Sequence, residues 1–225
     1  MDRRAVPDGE RVVALTDLAL GIEATVLAAG LALGGRGRPS RLRGPLVVSF
    51  AATAVASLAG AALHGLFADR TDPRRSALWR TSLASIGMAA LASWWLGARL
   101  ALQARTAAVV SAIATVAHLP YLASVLTGDR RFFVAILAYL PGVAFLSGAL
   151  LAHRRDPAGR MDADAALAAI GVTLAAAVVQ VRHVGFGPRF DHNALYHSLQ
   201  AVGTGLFFVA ARGLLAREGQ AGGRH

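Results

Sequence analysis

The sequence predicts an all-α integral membrane protein built as one bundle of seven transmembrane helices. Three observations predict it. Hydrophobic residues make up 55% of the 225 and charged residues 16%, where a soluble domain carries about 25% charged residues. Six stretches of 17 to 24 residues contain no Asp, Glu, Lys or Arg, and crossing about 30 Å of hydrocarbon takes roughly 20 helical residues. The charges lie between those stretches and not as a stripe along them, which distinguishes a membrane helix from the amphipathic helix of a soluble bundle. The stretches are also too long and too evenly apolar for the alternating strands, of about ten residues, in a membrane barrel.

The first helix is expected over 12–34, an apolar run that carries Asp17 and Glu23. Its length and those acids set it apart from a cleavable signal. The charge-free run Pro45–Ala68 predicts the second. Thr81–Ala98 predicts a third over 77–98, and Thr106–Gly128 a fourth over 106–127. Phe132–His153 predicts a fifth over 132–152. Pro120 and Pro141 fall inside the fourth and fifth, where each removes a backbone hydrogen bond. Ala165–Val181 predicts a sixth over 163–182. After a break at Gly185–Pro188 comes a seventh over 193–212, with Asp191 or Asn193 as its N-cap. The domain is thus 1–212, and the polar tail 213–225 is expected to be disordered. All linkers are short, so consecutive helices are expected to be antiparallel neighbours. Gly30, Gly60, Gly142, Gly148, Gly203 and Gly205 permit close helix contacts.

All 23 basic residues are arginine, and with 13 acids the net charge is +10. Such a charge suits nucleic acid, but the arginines flank every helix end and form no single patch, so no nucleic-acid partner is expected. Eleven arginines fall on the N-terminal side of the predicted bundle and 12 on the other, so the positive-inside rule gives a tie. The acids concentrate on the N-terminal side, which leans the C-terminus toward the cytoplasm. The chain has no cysteine. Disulfides, thiolate metal sites, iron–sulfur centres and cysteine nucleophiles are therefore excluded.

Ionisable residues inside membrane helices are costly and face an interior or a cavity. They are the candidate functional residues. With helices alternating in direction, His64, His183, His192 and His197 fall at one side of the membrane, joined by Asp17, Asp69 and Asp72. His118 falls mid-membrane in the fourth helix. Several histidines and carboxylates at one level suit a zinc ion with an open position for water, built from inward side chains on facing helices. The competing reading is of hydrated interfacial histidines with no joint role. Asn193 and His197 are four apart and share a helix face; His192 and His197, five apart, share it poorly. Ser57 and His64, seven apart, also share a face, and Ser57 lies about 10 Å deeper at about 1.5 Å per residue. A serine there also serves to bond its own backbone or a neighbouring helix. Asp17 and Glu23 have three readings: they bind protons or cations, orient a histidine, or pair with Arg182 or Arg80.

In these residues and in helix count, nearly the whole chain resembles the seven-helix superfamily of alkaline ceramidases and progestin and adipoQ receptors. That family places a serine and a histidine on helix 2, an aspartate after that histidine, and paired histidines on helix 7. Its three histidines hold zinc, and its activity is hydrolysis of lipid amides. Ser57, His64, Asp69 or Asp72, His192 and His197 stand in those regions here. Two positions differ: the family's serine precedes its histidine by four, where this chain has Gly60, and the family's helix-7 histidines are four apart, where this chain has Asn193 four before His197 and His192 one earlier.

The resemblance implies a zinc-dependent intramembrane hydrolase acting on a lipid amide or ester drawn from the membrane. His64, His192 and His197 would be metal ligands, and zinc would polarise the carbonyl and activate a bound water. Asp69 or Asp72 would be the general base or would orient one, and Ser57 would stabilise the oxyanion. Asp17, Glu23, His183 and Asn193 would support the ligands or bind an ion. The alternative is a non-enzymatic membrane sensor or small transporter in which Asp17, Glu23 and His118 carry protons or cations. Transporters commonly show inverted repeats, and this sequence has none.

Overall fold

The computed structural model describes residues 7–34, 40–67, 72–128 and 131–222. These form seven α-helices: α1 (Asp8–Leu33), α2 (Arg43–Leu66), α3 (Pro73–Ala101), α4 (Ala104–Thr127), α5 (Phe132–His153), α6 (Arg160–Arg182) and α7 (His192–Gly222). No strand occurs among the described residues. All seven helices are long and apolar enough to cross a membrane. The two prolines are absorbed: α4 continues past Pro120 and α5 past Pro141.

Local chemistry explains where the helices depart from the charge-free runs. α3 begins four residues before the expected 77 because Asp72 caps it, accepting from the Arg74 amide at 2.9 Å, with Pro73 at the first helical position. α7 departs more. The chain beyond 212 is expected to be disordered, yet the helix runs on to Gly222. Leu214 is fully buried, the Arg217 guanidinium donates to Asp162 of α6 at 2.5 Å, and Glu218 accepts from the Ser40 hydroxyl at 2.5 Å and the Arg41 amide at 2.9 Å. These partners sit on other helices and turns, so the polar composition of the segment hides them.

α1, α2, α3, α5, α6 and α7 pack in that order into a closed ring, with α7 returning against α1. α4 lies outside the ring, mainly against α3. The expectation that consecutive helices are neighbours is therefore met only weakly at α4–α5, because α5 passes α4 and packs on α3. The sequence allows that approach through small residues. A Cβ on Gly142 of α5 would lie 2.7 Å from the Ala90 carbonyl oxygen and 2.9 Å from the Trp94 ring of α3. Trp94 in turn stacks on Phe145 with ring centroids 4.9 Å apart. At the end of the ring near the C-terminus of α1, Leu31, Leu46, Phe50, Leu96, Leu150 and Leu214 form a close-packed core. Toward the other end, the interior opens into a cavity.

Candidate functional site

The cavity has a volume of about 420 Å³ and lies at the end of the ring where α1, α3, α5 and α7 begin and α2 and α6 end. Its polar lining includes Asp17, Ser57, His64, Gln180, Arg182, Asn193 and His197, together with Tyr139, Tyr196 and Gln200. The rest is largely apolar, including Leu20, Ile86, Ile136 and Leu174. On the α5–α6 side, lining residues Leu140, Val178 and Val181 are also exposed on the outer surface of the bundle.

Two carboxylate–histidine pairs border the polar lining: Glu10–His64 joins α1 to α2, and Asp17–His197 joins α1 to α7. Glu10 Oε2 lies 2.5 Å from His64 Nδ1. Seven residues further along α1, Asp17 meets Ser57, seven residues back along antiparallel α2. Residues seven apart return to one helix face after about two turns, so each helix presents two functional groups along one line. Glu10 and His64 are part-exposed, with side-chain exposures of 35% and 18%, whereas Asp17 and His197 are at 4% and 11%.

Asp17 is the centre of the deeper cluster. Its Oδ1 lies 3.2 Å from His197 Nε2, within ion-pair range, and the Ser57 hydroxyl is its hydrogen-bond partner. His197 Nδ1 lies 3.4 Å from the hydroxyl oxygen of Thr16, whose own proton goes to the carbonyls of Val12 and Val13 at 3.1 and 2.9 Å. Gly60 makes room for the carboxyl: a Cβ there would collide with Asp17 Oδ2. The position where the ceramidase-like pattern has a serine thus borders the Asp17 carboxylate directly.

On α7, Asp191 is the N-cap, accepting from the amides of Asn193 and Ala194 at 2.9 and 3.0 Å. Asn193 and His197 both line the cavity, as their four-residue spacing requires. Gln180 of α6 donates to Asn193 Oδ1 at 2.8 Å. His192 does not line the cavity. Its Nε2 lies 3.1 Å from His183 Nδ1, and the rings meet edge to face. His183 ends α6 in the left-handed region at φ 53°, and its ring lies against His192 outside the cavity. The five-residue step from His192 to His197 turns it roughly 140° around the helix. Exchanging His192 for Ala is accordingly expected to leave the cavity pairs and any activity there within about twofold of the parent, checked by thermal melting and turnover; a large loss of either would tie His192 to the site.

The other expected residues fall elsewhere. Asp69 lies outside the described residues. Asp72 caps α3 and does not line the cavity; hydrogen bonds from Arg74 hold its carboxyl below the usual carboxylate range. Asp17 takes His197 as its partner and not Arg182 or Arg80. Glu23, six residues from Asp17, turns to a different face and lies near Gly205 of α7. The His118 ring lies tilted against Tyr121, whose hydroxyl donates to the Leu83 carbonyl of α3 at 2.7 Å. Neither Glu23 nor His118 reaches the cavity.

Zinc fits this donor arrangement poorly. His192 is turned away, which leaves two histidines at the cavity, and His197 has Asp17 at Nε2 and Thr16 at Nδ1. Among the described residues no group of three His, Asp or Glu converges as a metal site would require. Sequence reasoning missed Glu10, Gln180, Tyr139, Tyr196 and Gln200. Glu10 had a readable signal, since it stands seven before Asp17 as Ser57 stands seven before His64.

Residues 12–216 match the model of a family of unknown function, DUF6962. No curated protein and no solved structure matches the chain.

Proposed function

The chain belongs to that family of unknown function, and we propose that it is a multi-pass integral membrane protein that hydrolyses a lipid amide or ester by acid–base catalysis, as a distant relative of the alkaline ceramidase superfamily. The observation that carries this reading is the pairing of Glu10 with His64 and Asp17 with His197 around one mostly apolar cavity. Membrane insertion is supported by the outer surface: Leu15, Val116 and Val178 are 63%, 66% and 60% exposed. Such a surface is stable against acyl chains and unfavourable against water. The exposed Leu140, Val178 and Val181 on the cavity's α5–α6 side suit a substrate that arrives from the lipid.

In this mechanism Glu10 holds the Nδ1 proton of His64 and stabilises the imidazolium that forms, leaving Nε2 as the base. Nε2 has no protein partner among the described residues. A water gives its proton to Nε2 as its oxygen adds to the substrate carbonyl carbon. The carbon–nitrogen or carbon–oxygen bond then breaks, and the leaving amine or alcohol takes a proton supplied by the Asp17–His197 pair. The proton on His64 passes to solvent, and a solvent proton restores the Asp17–His197 pair. Net reaction consumes one water and yields a fatty acid with an amine or alcohol. Ser57, bonded to Asp17, positions the carboxyl. No step is assigned to zinc, because its donors do not converge.

The sensor or transporter reading is favoured less, because Asp17, Glu23 and His118 lie in three separate places. The test uses the purified full-length protein in lipid with a panel of lipid amides and esters. His64→Gln is expected to lower turnover about 10²–10⁴-fold, the range for a lost general base, with its melting temperature close to the parent's. A parent protein that cleaves nothing on the panel ends the hydrolase reading and promotes the alternative.

A further inference from the structure

The end of the bundle opposite the cavity carries a second hollow of about 800 Å³, between the end of α1, the start of α2 and the last turns of α7. Ser40, Arg43 and Arg212 line its polar part, and Leu31, Phe208 and Leu215 its apolar part. Arginine is in excess around it. Arg217 is taken by Asp162. Glu218 already accepts from Ser40 and the Arg41 amide, and its charge is shared between Arg41, at 3.7 Å, and nearby Arg99. Arg212 is exposed and has no ion-pair partner among the described residues. A guanidinium is suited to phosphate, which it binds through two parallel hydrogen bonds. Basic pockets between membrane helices, at the level of the lipid headgroups, bind anionic headgroups.

We propose that this hollow binds an anionic phospholipid, its phosphate on Arg212 and Arg43 and its acyl chain along Leu31, Phe208 and Leu215. The apolar wall beside the arginines is what favours a lipid over a free phosphate ion: one molecule satisfies both halves of the site. The assignment rests on the membrane reading and is independent of catalysis at the cavity. It also gives the long α7 a role, since the helix must run past 212 to form the wall.

The test measures the melting temperature of the full-length protein in neutral detergent with added phosphatidylglycerol, phosphatidylcholine or inorganic phosphate. Ligand bound only to the folded state raises that temperature. Phosphatidylglycerol is expected to raise it by several degrees more than phosphatidylcholine. Arg212→Gln and Arg43→Gln are expected to remove most of that difference, and Arg155→Gln, an exposed change on the same side outside the hollow, to keep it. If Arg43→Gln does not fold, Arg212→Gln decides, because its side chain is exposed and its loss leaves no buried gap. Equal responses to both lipids, or a response unchanged in Arg212→Gln, overturn the proposal. A rise of the same size with inorganic phosphate reassigns the site to a soluble anion and overturns it too. Flotation with vesicles reads membrane insertion separately, so a failure of that premise is seen as such.

Discussion

In the proposed hydrolase, replacing Asp17 by Asn is expected to cut turnover about 10²–10⁴-fold while leaving the fold nearly intact. Asn has almost the volume of Asp, so it fits the space beside Gly60. Its amide also keeps hydrogen-bonding capacity toward Ser57 and His197, the two partners of the native carboxyl. What it lacks is a proton it can hold and release at pH 7. Asp17→Leu makes the contrast. It leaves the Ser57 hydroxyl and His197 Nε2 without their partner in a largely apolar interior, at about 1–3 kcal/mol for each buried group so orphaned. The Leu variant is therefore expected to melt well below the parent, and the Asn variant close to it. Turnover and thermal melting of both, measured in the same lipid, separate the chemical role from the structural one. An Asn variant as active as the parent would remove Asp17 from the acid step.

Gly60→Ser is expected to be the most damaging of the small substitutions in α2. It introduces the residue that the ceramidase-like pattern carries at this spacing, yet here the Cβ would collide with Asp17 Oδ2 and come within 3.0 Å of its Cγ. The obstacle is a short carboxyl held by Ser57 and His197, not the free end of a flexible chain. Either α1 shifts away from α2 or Asp17 leaves its partners. Overpacking of this kind costs about 1–3 kcal/mol, and the Asp17–His197 pair is lost with it. Gly148→Ala is the control. A Cβ at Gly148 meets nothing within 4 Å, so only the helix-propensity gain remains, up to about 1 kcal/mol in favour of folding. Melting temperatures that fall for Gly60→Ser and hold or rise for Gly148→Ala are the expected pattern. A Gly60→Ser protein as stable and active as its parent would show that Asp17 is not confined as described.

The level of the candidate site along the bundle was legible before any coordinates. Alternating helix direction is enough to bring Asp17, His64 and His197 to one end, with Ser57 deeper on the face of His64. The four-residue spacing of Asn193 and His197 is enough to turn both to one side of α7. The same period rule already spoke against His192, and it weighed against the three-histidine ligand set that the resemblance implied. Glu10 was passed over, despite its seven-residue spacing from Asp17, because it lies before the first apolar run, among residues that read as an interfacial N-terminus.

By itself, the sequence determined the number of helices and their approximate limits, because the thickness of a bilayer imposes a length that charge-free runs either meet or do not. It determined which ionisable groups lie at which end, because that follows from counting crossings. Only the tertiary structure decided the partners. Whether His64 meets Glu10 or a metal, and whether α5 packs on α4 or on α3, depends on the relative height and spacing of helices. Those are set by contacts between residues far apart in the chain, such as Gly60 against Asp17 and Gly142 against Ala90. The same holds for the last turns of α7. Their helical state comes from Arg217 on Asp162 and Glu218 on Ser40, pairings that local composition cannot express.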